Sequence, residues 1–377
     1  MTSTRASNPG SPLGRLIRER QSVWLDYMHR TMLKSGELKA LIEARGVRGA
    51  TSNPTIFEQA IGKSDAYDDA IAALAGQKMD SEQVFETLAI EDIRMACDQF
   101  MPIYEMTRGN DGFVSMEVSP RLANDTDGSL QAARRLWKAI DRPNAMIKIP
   151  GTAAGVPAIA AALGEGININ ITLLFSVKMY QQVIEAYLKG VEQRMAKGSI
   201  EHLRSVASFF VSRVDTETDK RLEALKKPGQ TAGLMGKAAV ANAKIAYQLY
   251  VQYFEGSRFR GLMGKGAAVQ RPLWASTGTK NPAYPDTKYV DELIGPDTIN
   301  TMPPATLDAF ADHGTVDRTV DRDVEQARRQ IEAIEALGVK LDDVTDFLVK
   351  DGVKKFEDSY ASLLDVVDSK RKKLAAV

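Results

Sequence analysis

Short β-branched runs alternate with longer segments whose apolar residues recur at helical spacing, and this rhythm continues through most of the chain. Eight runs read as strands, near 22–28, 47–53, 113–118, 145–150, 167–174, 205–212, 269–277 and 298–302. Between them, segments such as 36–45, closed by Gly46, and 178–195 carry helical periodicity with glycine near the C-terminal end. Strands alternating with helices predict βαβ units and a parallel sheet. Eight such units predict an α/β fold of the closed (β/α)8 TIM barrel type rather than an open doubly wound sheet. The gaps 54–111 and 214–267 leave room for more than one helix each, so additional helices are expected there. Past 320 the pattern is wholly helical. One stripe comprises Val324, Ala327, Ile331, Ile334 and Leu337, with Gly338 as a stop signal, and a second comprises Phe356, Tyr360, Leu363 and Val367. With no repeat, low-complexity block or linker in evidence, residues 1–377 read as a single domain. Residues 1–15 are expected to be a flexible tail, and 320–377 helices that pack on the barrel. The same stripes also suit a contact between two copies, so both monomer and homodimer stay open.

Polar residues on the strands carry the chemistry. A strand alternates faces with period two. In 167–174, Asn168, Asn170 and Thr172 share one face, opposite Ile167, Ile169, Ile171 and Leu173. In a helix-covered barrel the apolar face packs outward, so the three polar residues point inward. Buried amides and hydroxyls cost ~1–3 kcal/mol each when unpaired, so they form either a hydrogen-bonded layer or part of a site. Ser115 with Glu117, Trp24 with Asp26, and the strand ending Thr51-Ser52-Asn53 repeat the geometry. Lys148, flanked by Met146, Ile147, Ile149 and Pro150, is the sharpest case. Desolvation and nearby cations lower a lysine pKa and free the amine as a nucleophile toward a carbonyl. The competing reading is a lysine paired with a buried carboxylate, and Glu117 serves either one.

Charge and composition narrow the field. Lys plus Arg and Asp plus Glu are 49 each, so a broad phosphate-backbone surface is not expected and nucleic acid is not a predicted partner. The terminal SKRKKL complements a helix C-terminal dipole instead. Apolar runs fall far short of the ~20 residues of a membrane span. The N-terminus MTSTRASNPGSPLGRLIRER lacks the apolar region of a secretory signal. A soluble cytoplasmic protein without a membrane partner is expected. The lone Cys97 excludes an internal disulfide and any cysteine-ligated metal site, and reads as a small buried apolar side chain. His29, His202 and His313 are far apart and lack metal-binding spacing, so no metal is predicted. Gly264-Lys265-Gly266 lacks the third glycine of a dinucleotide fingerprint, and neither a P-loop nor a G-x-S-x-G elbow occurs.

Seven segments occur in order: WLDYMHR (24–30), TSNPTIF (51–57), SMEVSP (115–120), MIKIPGT (146–152), NINITLLFS (168–176), SFFVSRVD (208–215) and WASTGTKNP (274–282). Together they resemble the transaldolase family in its longer bacterial form, from about residue 15 to the C-terminal helices. The resemblance implies a class I aldolase-type (β/α)8 barrel of the pentose phosphate pathway, a transferase that works without metal or organic cofactor on sugar-phosphate substrates. It implies reversible transfer of a dihydroxyacetone unit from sedoheptulose 7-phosphate to glyceraldehyde 3-phosphate, giving erythrose 4-phosphate and fructose 6-phosphate. Lys148 matches the family's Schiff-base lysine, and Asp26 the group that takes the C4 hydroxyl proton. Glu117 and Thr172 match the pair that holds the catalytic water. Asn53 and Asn170 match amides that orient the three-carbon unit. Ser208 and Arg213 match phosphate ligands, with Phe210 shaping the pocket between them. Lys280 falls where many members carry a second phosphate-binding arginine. Two rivals remain at this point: a fructose 6-phosphate aldolase, which cleaves without transfer, and a catalytically silent sugar-phosphate-binding barrel.

Overall fold

In the computed structural model, which describes residues 10–375, eight parallel strands close in chain order into a barrel. They are β1 (Gln21–Leu25), β2 (Gly49–Thr51), β3 (Phe113–Glu117), β4 (Ala145–Pro150), β5 (Ile169–Leu174), β6 (Ser205–Phe210), β7 (Arg271–Ala275) and β8 (Thr298–Met302). The last meets the first from Gln21 beside Thr298 to Leu25 beside Met302, which leaves no free edge. Each predicted strand is present, some of them shorter than expected. The run 22–28 ends at Leu25, because His29 Nδ1 accepts from the Met32 amide and starts helix Arg30–Ser35. The run 47–53 ends at Thr51, because Asn53 Oδ1 accepts from the Ile56 amide and caps helix Pro54–Gly62.

Alternate side chains along each strand enter the barrel, in columns that run from its amino-end floor to its carboxyl-end mouth. Ser22 and Trp24 lead to Asp26, Gly49 to Thr51 and Asn53, Met146 to Lys148, and Val206 to Ser208 and Phe210. A Cβ on Gly49 would stand 2.6 Å from the Trp24 ring, so only glycine admits the indole that plugs the floor.

Helices fill the two long gaps. Pro54–Gly62, Asp68–Ala75 and Ser81–Met106 occupy the first, the last of them started by a capping box of Asp80 and Gln83. Ser212–Ala224, Pro228–Thr231, Ala238–Phe254 and Ser257–Met263 occupy the second. Beside β1, Arg30 Nε donates to Asp92 at 2.7 Å and Tyr67 donates to the same carboxylate at 2.7 Å. This buried knot ties the segment after Asp26 to helix Ser81–Met106. Among the described residues, no helix is long and apolar enough to cross a membrane.

The expected tail needs correction. Residues 1–9 lie outside the described residues, but Ser11 caps a helix, Pro12–Arg18, that buries Leu13 and Leu16 and packs on β1. Residues 12–15 are therefore helical, because these leucines are buried in the hydrophobic core.

At the other terminus, helix Val324–Ala336 packs on Ala238–Phe254, and a long helix, Leu341–Ala375, crosses Pro54–Gly62 and Asp68–Ala75. Phe356, Tyr360, Leu363 and Val367 are buried within this chain. Polar links reinforce that stripe. Thr55 donates to Ser359 at 2.9 Å, and Tyr360 donates to Glu82 at 2.8 Å. Residues 376–377, the end of the expected 320–377 segment, lie outside the described residues.

Candidate active site

Lys148 sits midway along β4, between Glu117 of β3 and Asn170 of β5, all three in register. Its side chain is only 6% exposed, yet it lines a cavity of about 180 Å³ at the mouth. Its Nζ donates to the Ser52 carbonyl at 3.2 Å and stands 3.4 Å from Glu117 Oε2. It is thus paired with a buried carboxylate, as the second sequence reading had it, and also faces an open cavity. Burial pushes the Glu117 carboxyl above its ordinary pKa; the Lys148 ammonium opposes this shift, and Asp26 adds to it. Neither Glu117 oxygen accepts a hydrogen bond, and the buried Thr172 hydroxyl also lacks a partner. Such groups are stable in a dry interior only when water or a ligand completes them.

Asp26, just past β1, lines the same cavity, and its Oδ1 accepts from Thr51 Oγ1 at 2.8 Å. Asn53, Ser208, Phe210, Arg213 and Lys280 line it as well. Asn170 does not; it lies deeper, donating to Ser115 Oγ at 2.9 Å and accepting from Ser208 Oγ at 2.7 Å. Asn168 is farther still from the mouth, spent on the Pro143 and Ala145 carbonyls and on the Arg204 amide, so the polar face of β5 is part scaffold and part site.

Arg213, in the first turn of Ser212–Ala224, lies over the Phe210 ring at 5.2 Å and has a buried, unpartnered nitrogen. Burial lowers its pKa from the ordinary arginine value, against the pull of Asp351 and Asp26. Lys280 is exposed, on a loop stitched down by Tyr284 donating to Asp219 at 2.6 Å. The cavity thus combines the cations Arg213 and Lys280 with the Lys148 amine and the Asp26 carboxylate. Among the described residues, no three His, Cys, Asp or Glu side chains converge to hold a metal ion.

The profile of the family described as Transaldolase/Fructose-6-phosphate aldolase matches residues 23–367. This chain belongs to that family. It is 50% identical to the transaldolase of Thermobifida fusca over 360 residues, covering 95% of this chain and 98% of the relative. It is 49% identical to the transaldolase of Mycobacterium tuberculosis H37Rv over 362 residues, covering 95% and 96%. Transaldolase 1 of Streptomyces coelicolor is 47% identical over 369 residues, covering 97% of each chain.

In this family member, several wall residues escaped sequence reasoning. Phe356 reaches the cavity from the C-terminal helix, and Thr301 and Pro303 reach it from the end of β8. Ser276 adopts φ +56° and Leu173 φ +58°, where the β5–β6 register shifts between Ile171 and Leu174. Left-handed backbone at non-glycine residues costs of order 1–3 kcal/mol and gathers at functional sites. The only sequence signal for Phe356 was its place on a buried stripe.

Proposed function

We propose that the protein is a transaldolase acting through a Schiff base on Lys148. A lysine amine that faces a cavity, beside a buried carboxylate of raised pKa and in the same pocket as Asp26, carries this reading. The Lys148 ammonium first passes a proton to Glu117, which burial inclines to hold it. The free amine then attacks C2 of the ketose phosphate. Glu117, through a water held with Thr172, returns protons as the carbinolamine loses water to the iminium. Asp26 takes the C4 hydroxyl proton, the C3–C4 bond breaks, and an aldose phosphate leaves. The electron pair is stored as an enamine on Lys148. Glyceraldehyde 3-phosphate accepts the three-carbon unit when the same steps run in reverse, and water then releases the new ketose.

In this reading Asn53 and Asn170 orient the three-carbon unit, Asn170 with Ser208 as its brace. Arg213, Ser208 and Lys280 bind the phosphate, and Phe210 shapes the wall between. The reading assigns the reaction to the pentose phosphate pathway of the cytoplasm and calls for no cofactor.

The test is borohydride trapping with fructose 6-phosphate and peptide mass mapping. A reduced adduct is expected on Lys148 and none in Lys148→Ala, whose transfer activity should be lost. An adduct elsewhere would overturn the mechanism. The family description also covers an aldolase that cleaves without transfer. Free dihydroxyacetone released from fructose 6-phosphate in the absence of an acceptor would favour that activity.

A further inference from the structure

At the end of the barrel opposite Lys148, a second and larger recess of about 490 Å³ is ringed by the first residues of β1, β3, β6 and β7. The proposed reaction makes no use of it. Four guanidinium groups line it, Arg20, Arg48, Arg204 and Arg271, against two carboxylates, Asp111 and Asp297, an excess of two positive charges. Most of these groups are committed. Arg271 donates to Ser22 Oγ at 2.7 Å and to the Thr298 and Asn110 carbonyls, and Arg204 donates to the Gly109 and Glu201 carbonyls. Arg20 holds Asp297 with two hydrogen bonds.

Arg48 differs. Its side chain is 21% exposed, makes no hydrogen bond with any described residue, and reaches no closer than 3.9 Å to Asp111. That carboxylate already accepts from the Ser22 hydroxyl and the Trp24 indole, and lies 3.5 Å from Arg271. A recessed guanidinium with unspent donors, next to a second guanidinium, is suited to an anion with two or more oxygens. The recess also presents apolar side chains, Ile17, Met263 and Val269.

We propose that this recess binds an organic phosphate monoester with an apolar body, of the nucleoside monophosphate kind. The phosphate meets Arg48, and the body lies against Ile17, Met263 and Val269. The volume falls within the ~300–1,000 Å³ typical of small-ligand pockets.

Calorimetric titration of the full-length protein with AMP, adenosine and inorganic phosphate tests this. AMP is expected to bind one per chain, more weakly as salt rises, and at least about tenfold more tightly than either fragment. Arg48→Ala and Met263→Glu should each weaken it by about tenfold or more. Met263 is 54% exposed at the rim, so glutamate there repels the ligand without disturbing the core. Absence of AMP binding, an affinity unchanged in both variants, or phosphate or adenosine binding as tightly as AMP would overturn the proposal. So would AMP binding that is lost in Arg213→Ala and displaced by fructose 6-phosphate, because the nucleotide would then sit at the mouth.

Discussion

The two ends of the barrel are built from the same strands, yet they treat polar groups differently. At the floor they are mostly spent on one another. Asp111 gathers Ser22, Trp24 and Arg271, Asn168 bridges two carbonyls and an amide, and Gln21 Nε2 serves Leu293 and Thr298. At the mouth, the Thr172 and Thr301 hydroxyls and a nitrogen of Arg213 are buried without partners, and Glu117 has only the Lys148 ammonium at 3.4 Å. The floor keeps unpartnered acceptors as well, on Gln21, Asn144 and Gln270, but the mouth's unspent groups face or flank an open cavity, so it is the end ready for a ligand. The division follows the general rule for such barrels, with chemistry at the carboxyl ends of the strands and stability at the amino ends.

Substitutions at the two ends should therefore fail in different ways. The largest effect is expected at the mouth. Asp26→Asn should cut turnover by ~10³–10⁴-fold while trapping of the imine on Lys148 persists and thermal stability barely moves. Turnover within tenfold of wild type would remove Asp26 from its assigned role. At the floor, Asp111→Ala strands Arg271 and the Trp24 N–H, and should cost about 3 kcal/mol in denaturant unfolding with kcat retained at low temperature. An unchanged unfolding midpoint would refute the floor as a stabilising network. Gly49→Ala pushes a methyl into the Trp24 ring and should cost ~1–3 kcal/mol, again without loss of kcat.

The smallest effect concerns neither end. Asp215, which accepts from the Ala239 amide and from Tyr289, has its carboxyl pushed by burial from 3.8 up to about 6. A raised folded-state value means that its stabilising contribution is present below the unfolded pKa and is lost as pH rises through about 6. Wild-type stability should therefore decline between pH 4 and pH 6 relative to Asp215→Asn, which keeps an acceptor at the same place. Parallel urea midpoints across that range would contradict the shift.

Much of this division was legible in the chain. Strand alternation alone put Lys148, Glu117, Asn170 and Asp26 on inward faces, because period two leaves no other choice once the outer face is apolar. It could not separate Asn168, which is scaffold, from Asn170, which braces the site, since depth along a barrel depends on register between strands. Phe356 was visible as a stripe residue but not as a pocket wall, because amphipathicity reports burial and not what lies opposite. Arg48 carried no signal at all. Its isolation comes from Asp111, 63 positions later, being already occupied by others.

The reach of the last helix has a consequence for synthesis. A methyl on Gly352 would stand 3.0 Å from Leu173, and Phe356 closes one side of the cavity, yet the barrel strands are complete at Met302. A ribosome-tethered chain can thus close its sheet around Lys148 before the 35-residue helix that supplies Phe356 has been made. Activity should switch on late, with the emergence of Leu341–Ala375 from the exit tunnel, and not with closure of the barrel.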